Sequence, residues 1–138
     1  MTKIIIFDLD DTLVNYRMKI PRQTYHMLNK FKKLGYIIGI ITYNCLVNLV
    51  ANECNLNKYT NYIFYGDLDR NVLFGKCINK ILEENPSSLD WQIYYADDRA
   101  DNLQLVKCYY PKITTYHCKN IYELYLFKFI ICNTIFCF

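Results

Sequence analysis

The sequence predicts an α/β fold: a doubly wound, three-layer sandwich around a central, mostly parallel five-stranded sheet, with no inserted second domain. Two observations lead there. Apolar runs rich in β-branched residues alternate with longer helical patterns, as repeated βα units require. Several of those runs also end in acidic or hydroxyl residues, at the strand ends where such sheets bind ligands.

Lys3 to Asp8 reads as the first strand, four bulky apolar residues running into carboxylates. Pro21 to Leu34 reads as a helix, with Pro21 at its start, Met27, Leu28, Phe31 and Leu34 on one face, and Gly35 as its stop. Tyr36 to Thr42 is a continuous apolar run, as expected of a strand buried on both faces. Cys45 to Glu53 is a short helix entered at the capping residue Asn44, and Asn61 to Tyr65 is a third strand. Asp67 to Asn71 is expected to be a loop, Lys76 to Asn85 a helix, and Gln92 to Ala96 a fourth strand. Ala100 to Cys108 follows as a helix and Lys112 to Tyr116 as a fifth strand.

These elements place the core domain in residues 1–120 and leave an apolar tail over 121–138. Glu123, Lys128 and Asn133 interrupt the tail, so it is expected to pack on the core as a helix rather than cross a membrane.

At 138 residues the chain is one domain, able to bury roughly two-thirds of its unfolded surface. Its formal charge of +3 is too small to argue for nucleic acid or membrane. The basic residues Lys30, Lys32 and Lys33 read as a solvated helix face. Seven cysteines form no C-x-x-C pair, and His26 and His117 do not complete a zinc spacing. The cysteines are therefore expected to be reduced core residues, in the cytoplasm or nucleus.

Asp8, Asp10 and Thr12 lie after the first strand and Thr42 after the second. Lys76 begins the third predicted helix, and Asp97, Asp98 and Asp101 follow the fourth strand. A rim so rich in carboxylates needs a cation, and oxygen-only ligands point to Mg²⁺.

The order of these segments resembles the haloacid dehalogenase superfamily, mainly phosphatases and phosphotransferases. Its first motif, a strand followed by Asp-x-Asp-x-Thr, is matched by Phe7-Asp8-Leu9-Asp10-Asp11-Thr12. The second is matched by Gly39-Ile40-Ile41-Thr42, the third by Lys76 in Phe74-Gly75-Lys76-Cys77, and the fourth by Tyr94 to Asp101. The resemblance implies that Asp8 is the nucleophile forming an aspartyl-phosphate and Asp10 the general acid and base. It implies that Thr42 and Lys76 hold the phosphoryl oxygens, with Asn44 a further substrate contact. Mg²⁺ would be held by Asp8, the Asp10 main chain and Asp97, with Asp98 or Asp101 as a further ligand. Lys80 competes with Lys76, and which of Asp98 and Asp101 meets the metal stays open.

Other residues carry blander expectations. Asp11 faces solvent or caps the turn, Arg99 pairs with a neighbouring carboxylate or else faces substrate, and Trp91, Tyr94 and Tyr95 pack. A receiver domain, which shares the residue types, places its phosphorylated Asp after the third strand; here that strand ends Phe64-Tyr65-Gly66, and the acidic group follows the fourth. The second reading is a non-catalytic module that keeps the fold. Members of the superfamily often carry a cap over the site. The gaps from Asp8 to Thr42 and from Thr42 to Lys76 are too short for one. An open site suggests a phosphorylated macromolecule, such as a phosphoprotein or a nucleic-acid end, or a small substrate enclosed by a partner.

Overall fold

The computed structural model describes residues 2–86 and 90–135. Five strands, β1 (Thr2–Asp8), β2 (Ile37–Thr42), β3 (Tyr62–Tyr65), β4 (Trp91–Asp97) and β5 (Thr114–His117), form one sheet in the order β3-β2-β1-β4-β5. Every pairing is parallel. The helices are α1 (Arg22–Lys33), α2 (Val47–Glu53), α3 (Arg70–Glu84), α4 (Ala100–Tyr109) and α5 (Phe127–Ile135), with 3₁₀ turns at Leu56–Lys58 and Ile121–Leu126. The chain winds outward from β1 to β3, then crosses back to β4. The order therefore reverses between β1 and β4, and a crevice opens beyond their carboxyl ends.

The alternation of side chains along β1 sorts the core into two layers. Ile5 and Phe7 join Ile38 and Ile40 of β2 in a cluster with Met27, Leu28 and Phe31 of α1 and Val47 and Val50 of α2. Ile4 and Ile6 face the other way, with Ile41, and meet Phe74, Cys77, Ile78 and Ile81 of α3 and Val106 of α4. Gly39 lets α3 approach β2 closely: a Cβ there would sit 2.6 Å from Cys77 Sγ and 2.7 Å from Ile6 Cδ1.

Residues 121–131 finish the first layer. Phe127 is fully buried and stacks on Tyr116 at 4.8 Å, with edge contacts to Phe7, Phe31 and Tyr94. The tail is thus a 3₁₀ turn followed by a helix rather than one continuous helix. The last three residues, 136–138, lie outside the described residues. Among the described residues, no helix is long and apolar enough to cross a membrane.

The described sheet is wholly parallel, in keeping with the parallel five-stranded core expected of the sequence. One expectation needs correction. The third helix begins at Arg70, not Lys76, so the expected loop over 67–71 ends two residues early. Leu73, Phe74, Cys77, Ile78 and Ile81 form one continuous buried stripe, and the first of them lie inside the segment left unassigned between 71 and 76. Asp69 supplies the entry, its carbonyl accepting the N–H groups of Val72 and Leu73. Neither segment that could carry an insertion does so: 9–21 has no helix or strand, only a bridge between Asp10 and Val14, and 43–61 has only α2 and a 3₁₀ turn.

Because Phe127 closes a core layer, Phe127→Ala is expected to destabilise the protein by about 3–5 kcal/mol in urea unfolding. Phe129→Ala, on the exposed side of the same helix, should change stability by no more than about 0.5 kcal/mol.

Candidate active site

Asp8 ends β1 and Asp97 ends β4, and the register that pairs Phe7 with Ala96 brings the two carboxylates side by side at the switch point. The apolar residues before each are buried from both faces, so their backbones are fixed and the carboxylates inherit that position. Asp8 is only 5% exposed and Asp97 is fully buried.

After β1 the chain turns back sharply. The Leu9 carbonyl accepts the N–H groups of Thr12, Leu13 and Val14, and Asp11 N donates to the Val14 carbonyl at 2.8 Å. Asp11 takes a left-handed conformation (φ 62°) and is exposed, as expected of a residue serving the turn. Thr12 is buried and donates its hydroxyl to Asp8 Oδ2 at 3.1 Å. Asp10 is more open, and Asn44 Nδ2 donates to its Oδ1 at 3.3 Å.

Asn44 links that loop to the end of β2. Its Oδ1 accepts Leu46 N at 2.9 Å ahead of α2, and its own N–H donates to Thr42 Oγ1 at 3.0 Å. Thr42 is buried at the strand end.

The cation of the site is Arg70, which the sequence reading missed. It opens α3, is 3% exposed, and donates through Nη1 to Asp8 Oδ1 (3.2 Å) and to the Ile41 carbonyl (3.1 Å). Its Nε lies 3.9 Å from Asp97 Oδ2 and has no hydrogen-bond acceptor. Lys76 stands six residues along α3 and is exposed, so the structure does not bring it to the carboxylates. Lys80 is also exposed and pairs with Glu84 at 3.2 Å. The missed signal was present: extending the stripe of Leu73 and Phe74 back by one turn reaches Arg70.

Asp97 is held by several donors. Its Oδ2 accepts the Tyr95 hydroxyl and Asn102 Nδ2 (3.1 Å), and its Oδ1 accepts Arg99 N at 2.9 Å. Tyr95 therefore does more than pack. Asp98 points toward Asp8 and Asp97, and its carbonyl accepts the N–H of His117 Nε2 at 2.9 Å from β5. Asp101 instead faces solvent, paired with Arg99 at 2.8 Å.

Electrostatics follow from this crowding. Burial, and then the Asp97 charge, push the Asp8 carboxyl up to about 9 from its ordinary 3.8, although Arg70 pulls the other way. Burial likewise raises Asp97, against its hydrogen bonds and Arg70. Asp10 is raised by burial, opposed by the Asn44 hydrogen bond. Arg70 loses by burial but is raised overall by Tyr95, Asp8 and Asp97. The thiols of Cys77 and Cys118 are pushed up to about 12, chiefly by burial, and are inert core groups. Oxygen atoms of Asp8, Asp97 and Asp98 all lie within 4.8 Å of one another. An all-oxygen set of this spacing fits a hard divalent cation such as Mg²⁺.

The raised Asp8 carboxyl gives a pH signature. The folded state binds a proton that the unfolded state releases near its ordinary value, so metal-free stability should fall as pH rises from about 4 toward 9. A divalent cation held by these carboxylates would have to displace that proton, so any rise in Tm on adding Mg²⁺ should be larger at pH 8 than at pH 6; calorimetric scans at both values check this. Tyr95→Phe frees one Asp97 oxygen from its clamp and should weaken Mg²⁺ binding by about tenfold in titration calorimetry.

The family model for haloacid dehalogenase-like hydrolases matches residues 5–59, which span Asp8, Asp10 and Thr42. No curated protein matches the chain in sequence. Among solved structures, a hypothetical protein from Xanthomonas campestris is similar, with a TM-score of 0.51 and 12% identity over 97% of this chain and 86% of that one. At that identity the likeness speaks for the fold alone. The carboxylates of β1 and β4 meet at the switch point of a parallel sheet, and over residues 5–59 the chain is similar to the haloacid dehalogenase-like hydrolases.

Proposed function

We propose that the protein is a Mg²⁺-dependent phosphomonoester hydrolase working through an aspartyl-phosphate on Asp8. The observation that carries this reading is the placement of two carboxylates with different surroundings on one short loop. Asp8 is buried and fixed between Thr12 and Arg70, whereas Asp10 is more open and tethered by Asn44. A fixed group suits attack on phosphorus, and a freer one with a raised carboxyl suits proton transfer.

In the reaction, an Asp8 oxygen bonds to phosphorus as the ester P–O bond breaks, and Asp10 gives its proton to the departing oxygen. Water then attacks the phosphorus, Asp10 takes back a proton, and phosphate leaves with Asp8 restored. Thr42 and Arg70 hold the phosphoryl oxygens, with Arg70 in the role first assigned to Lys76; its Nε, lacking an acceptor, is suited to a phosphate oxygen. Asp8, Asp97 and Asp98 would hold Mg²⁺, which would supply charge neutralisation for the phosphoryl group. With no domain inserted over the site, a phosphate carried on a macromolecule can reach it.

A second reading, a binding module that keeps the fold, draws on the engagement of both Asp8 oxygens by Thr12 and Arg70. Hydrolysis of p-nitrophenyl phosphate with and without Mg²⁺ separates the two. Activity should require Mg²⁺, vanish in Asp8→Asn, and drop about 10²–10⁴-fold in Asp10→Asn. Lys76→Ala should leave it unchanged, while Arg70→Lys should lower it. Turnover that persists in Asp8→Asn would sink the nucleophile assignment, and no turnover of any phosphomonoester would favour the binding module.

A further inference from the structure

We propose that the site selects aryl phosphates, monoesters whose ester oxygen is carried directly by an aromatic ring, and that Tyr43 is the residue that selects the ring. The proposal rests on the phosphatase reading above and names its substrate class. Tyr43 follows Thr42 immediately, at the carboxyl end of β2. Its ring lies over the Arg70 guanidinium, 4.3 Å from Cζ to the ring centroid, and the residue remains 49% exposed. The same guanidinium touches Asp8 Oδ1 at 3.2 Å. On the other side in sequence, Asn44 holds Asp10. The exposed ring thus lies against a group assigned to the phosphoryl oxygens, and the next residue in sequence holds the group that protonates the leaving oxygen.

Reach narrows the substrate. One guanidinium separates the Tyr43 ring from the nucleophile. A substrate ring can lie against it only if that ring begins close to the ester oxygen. A phenolic ester meets this condition, whereas the base of a nucleoside 5′-monophosphate is held away from its phosphate by a ribose. A second aromatic is in place: Tyr65, paired in register with Thr42, is 48% exposed at the same rim. Aromatic pairs favour offset or edge contact, which a half-exposed ring can provide without rearrangement. The Arg70 contact alone would be served as well by a tyrosine covered by neighbouring chain.

The chemistry balances for such a substrate. The Asp8–phosphorus bond forms, the phosphorus–phenolic oxygen bond breaks with its electron pair left on oxygen, and Asp10 supplies the proton. Phenols ionise near pH 10, so the leaving group needs less help from Asp10 than an alkanol does.

The test is kcat/KM with Mg²⁺ for phenyl phosphate, glycerol 2-phosphate and adenosine 5′-monophosphate, in the wild type, Tyr43→Phe and Tyr43→Leu. Thermal melting confirms that the variants are folded. Tyr43→Leu is expected to lose about tenfold on phenyl phosphate and no more than about twofold on glycerol 2-phosphate, with Tyr43→Phe close to wild type. Equal losses on both esters would mean that Tyr43 acts only by placing Arg70, and would overturn the proposal. So would no loss at all, or a loss confined to the nucleotide. If the wild type hydrolyses none of the three, the phosphatase reading falls while the ring preference is still decided by calorimetry. Tighter binding of phenylphosphonate than ethylphosphonate, lost in Tyr43→Leu, would support the preference, and equal affinities would overturn it.

Discussion

Everything at the carboxyl edge of the sheet is arranged around one repulsion, that between Asp8 and Asp97. Burial out of water raises the proton affinity of both carboxylates, that of Asp8 further through the Asp97 charge, and neither strand can move aside because each is buried on both faces. The structure offsets the repulsion from several directions. Arg70 supplies positive charge between the two strand ends, Thr12 donates to Asp8, and Tyr95, Asn102 and the Arg99 N–H donate to Asp97. The Asp8 carboxyl nonetheless stays above its ordinary range, which leaves the site short of positive charge. That deficit is what a divalent cation and the donors for a phosphoryl group would share.

The different surroundings of Asp8 and Asp10 follow from their distance to the sheet. Asp8 belongs to the last turn of the pleat and is as rigid as the strand. Asp10 belongs to a loop whose stiffness comes from the Leu9 carbonyl and from Asn44. Asn44 thereby couples the loop after β1 to the turn after β2, so the positions of Asp10 and Thr42 depend on each other.

The sheet, its helices and both acidic strand ends were legible in the sequence, because each rests on a local pattern. Ile4 to Phe7 can only be a buried strand, and the residues after it are placed by that strand. What was not legible depended on which polar residue a helix start turns inward. Arg70 sits in a polar stretch, Asp67 to Asn71, and nothing within that stretch distinguishes it from a loop. Only the phase of the buried stripe in α3 shows that Arg70 falls on the core side and Lys76 on the solvent side. The choice between Asp98 and Asp101 was likewise a matter of tertiary placement: His117 reaches from β5 to the Asp98 backbone, while Arg99 draws Asp101 outward. Tyr95 looked like packing because a phenol two residues before a strand-end carboxylate reveals its hydrogen bond only once the strand is built.

The seat of Phe127 has a consequence for how the chain reaches this structure. The layer under α3 and α4 is complete once Ile113 has joined it, but the layer under α1 and α2 needs Leu124, Phe127 and Ile131. Contact between Phe127 and Phe7 joins α5 to β1, so it closes a long loop at an entropic cost. With α5 undocked, Phe7, Phe31 and Tyr94 lose the ring that covers their outer edge, although α1 and α2 still cover the rest of the layer. Apolar surface opened in this way is what makes a partly folded chain prone to aggregation.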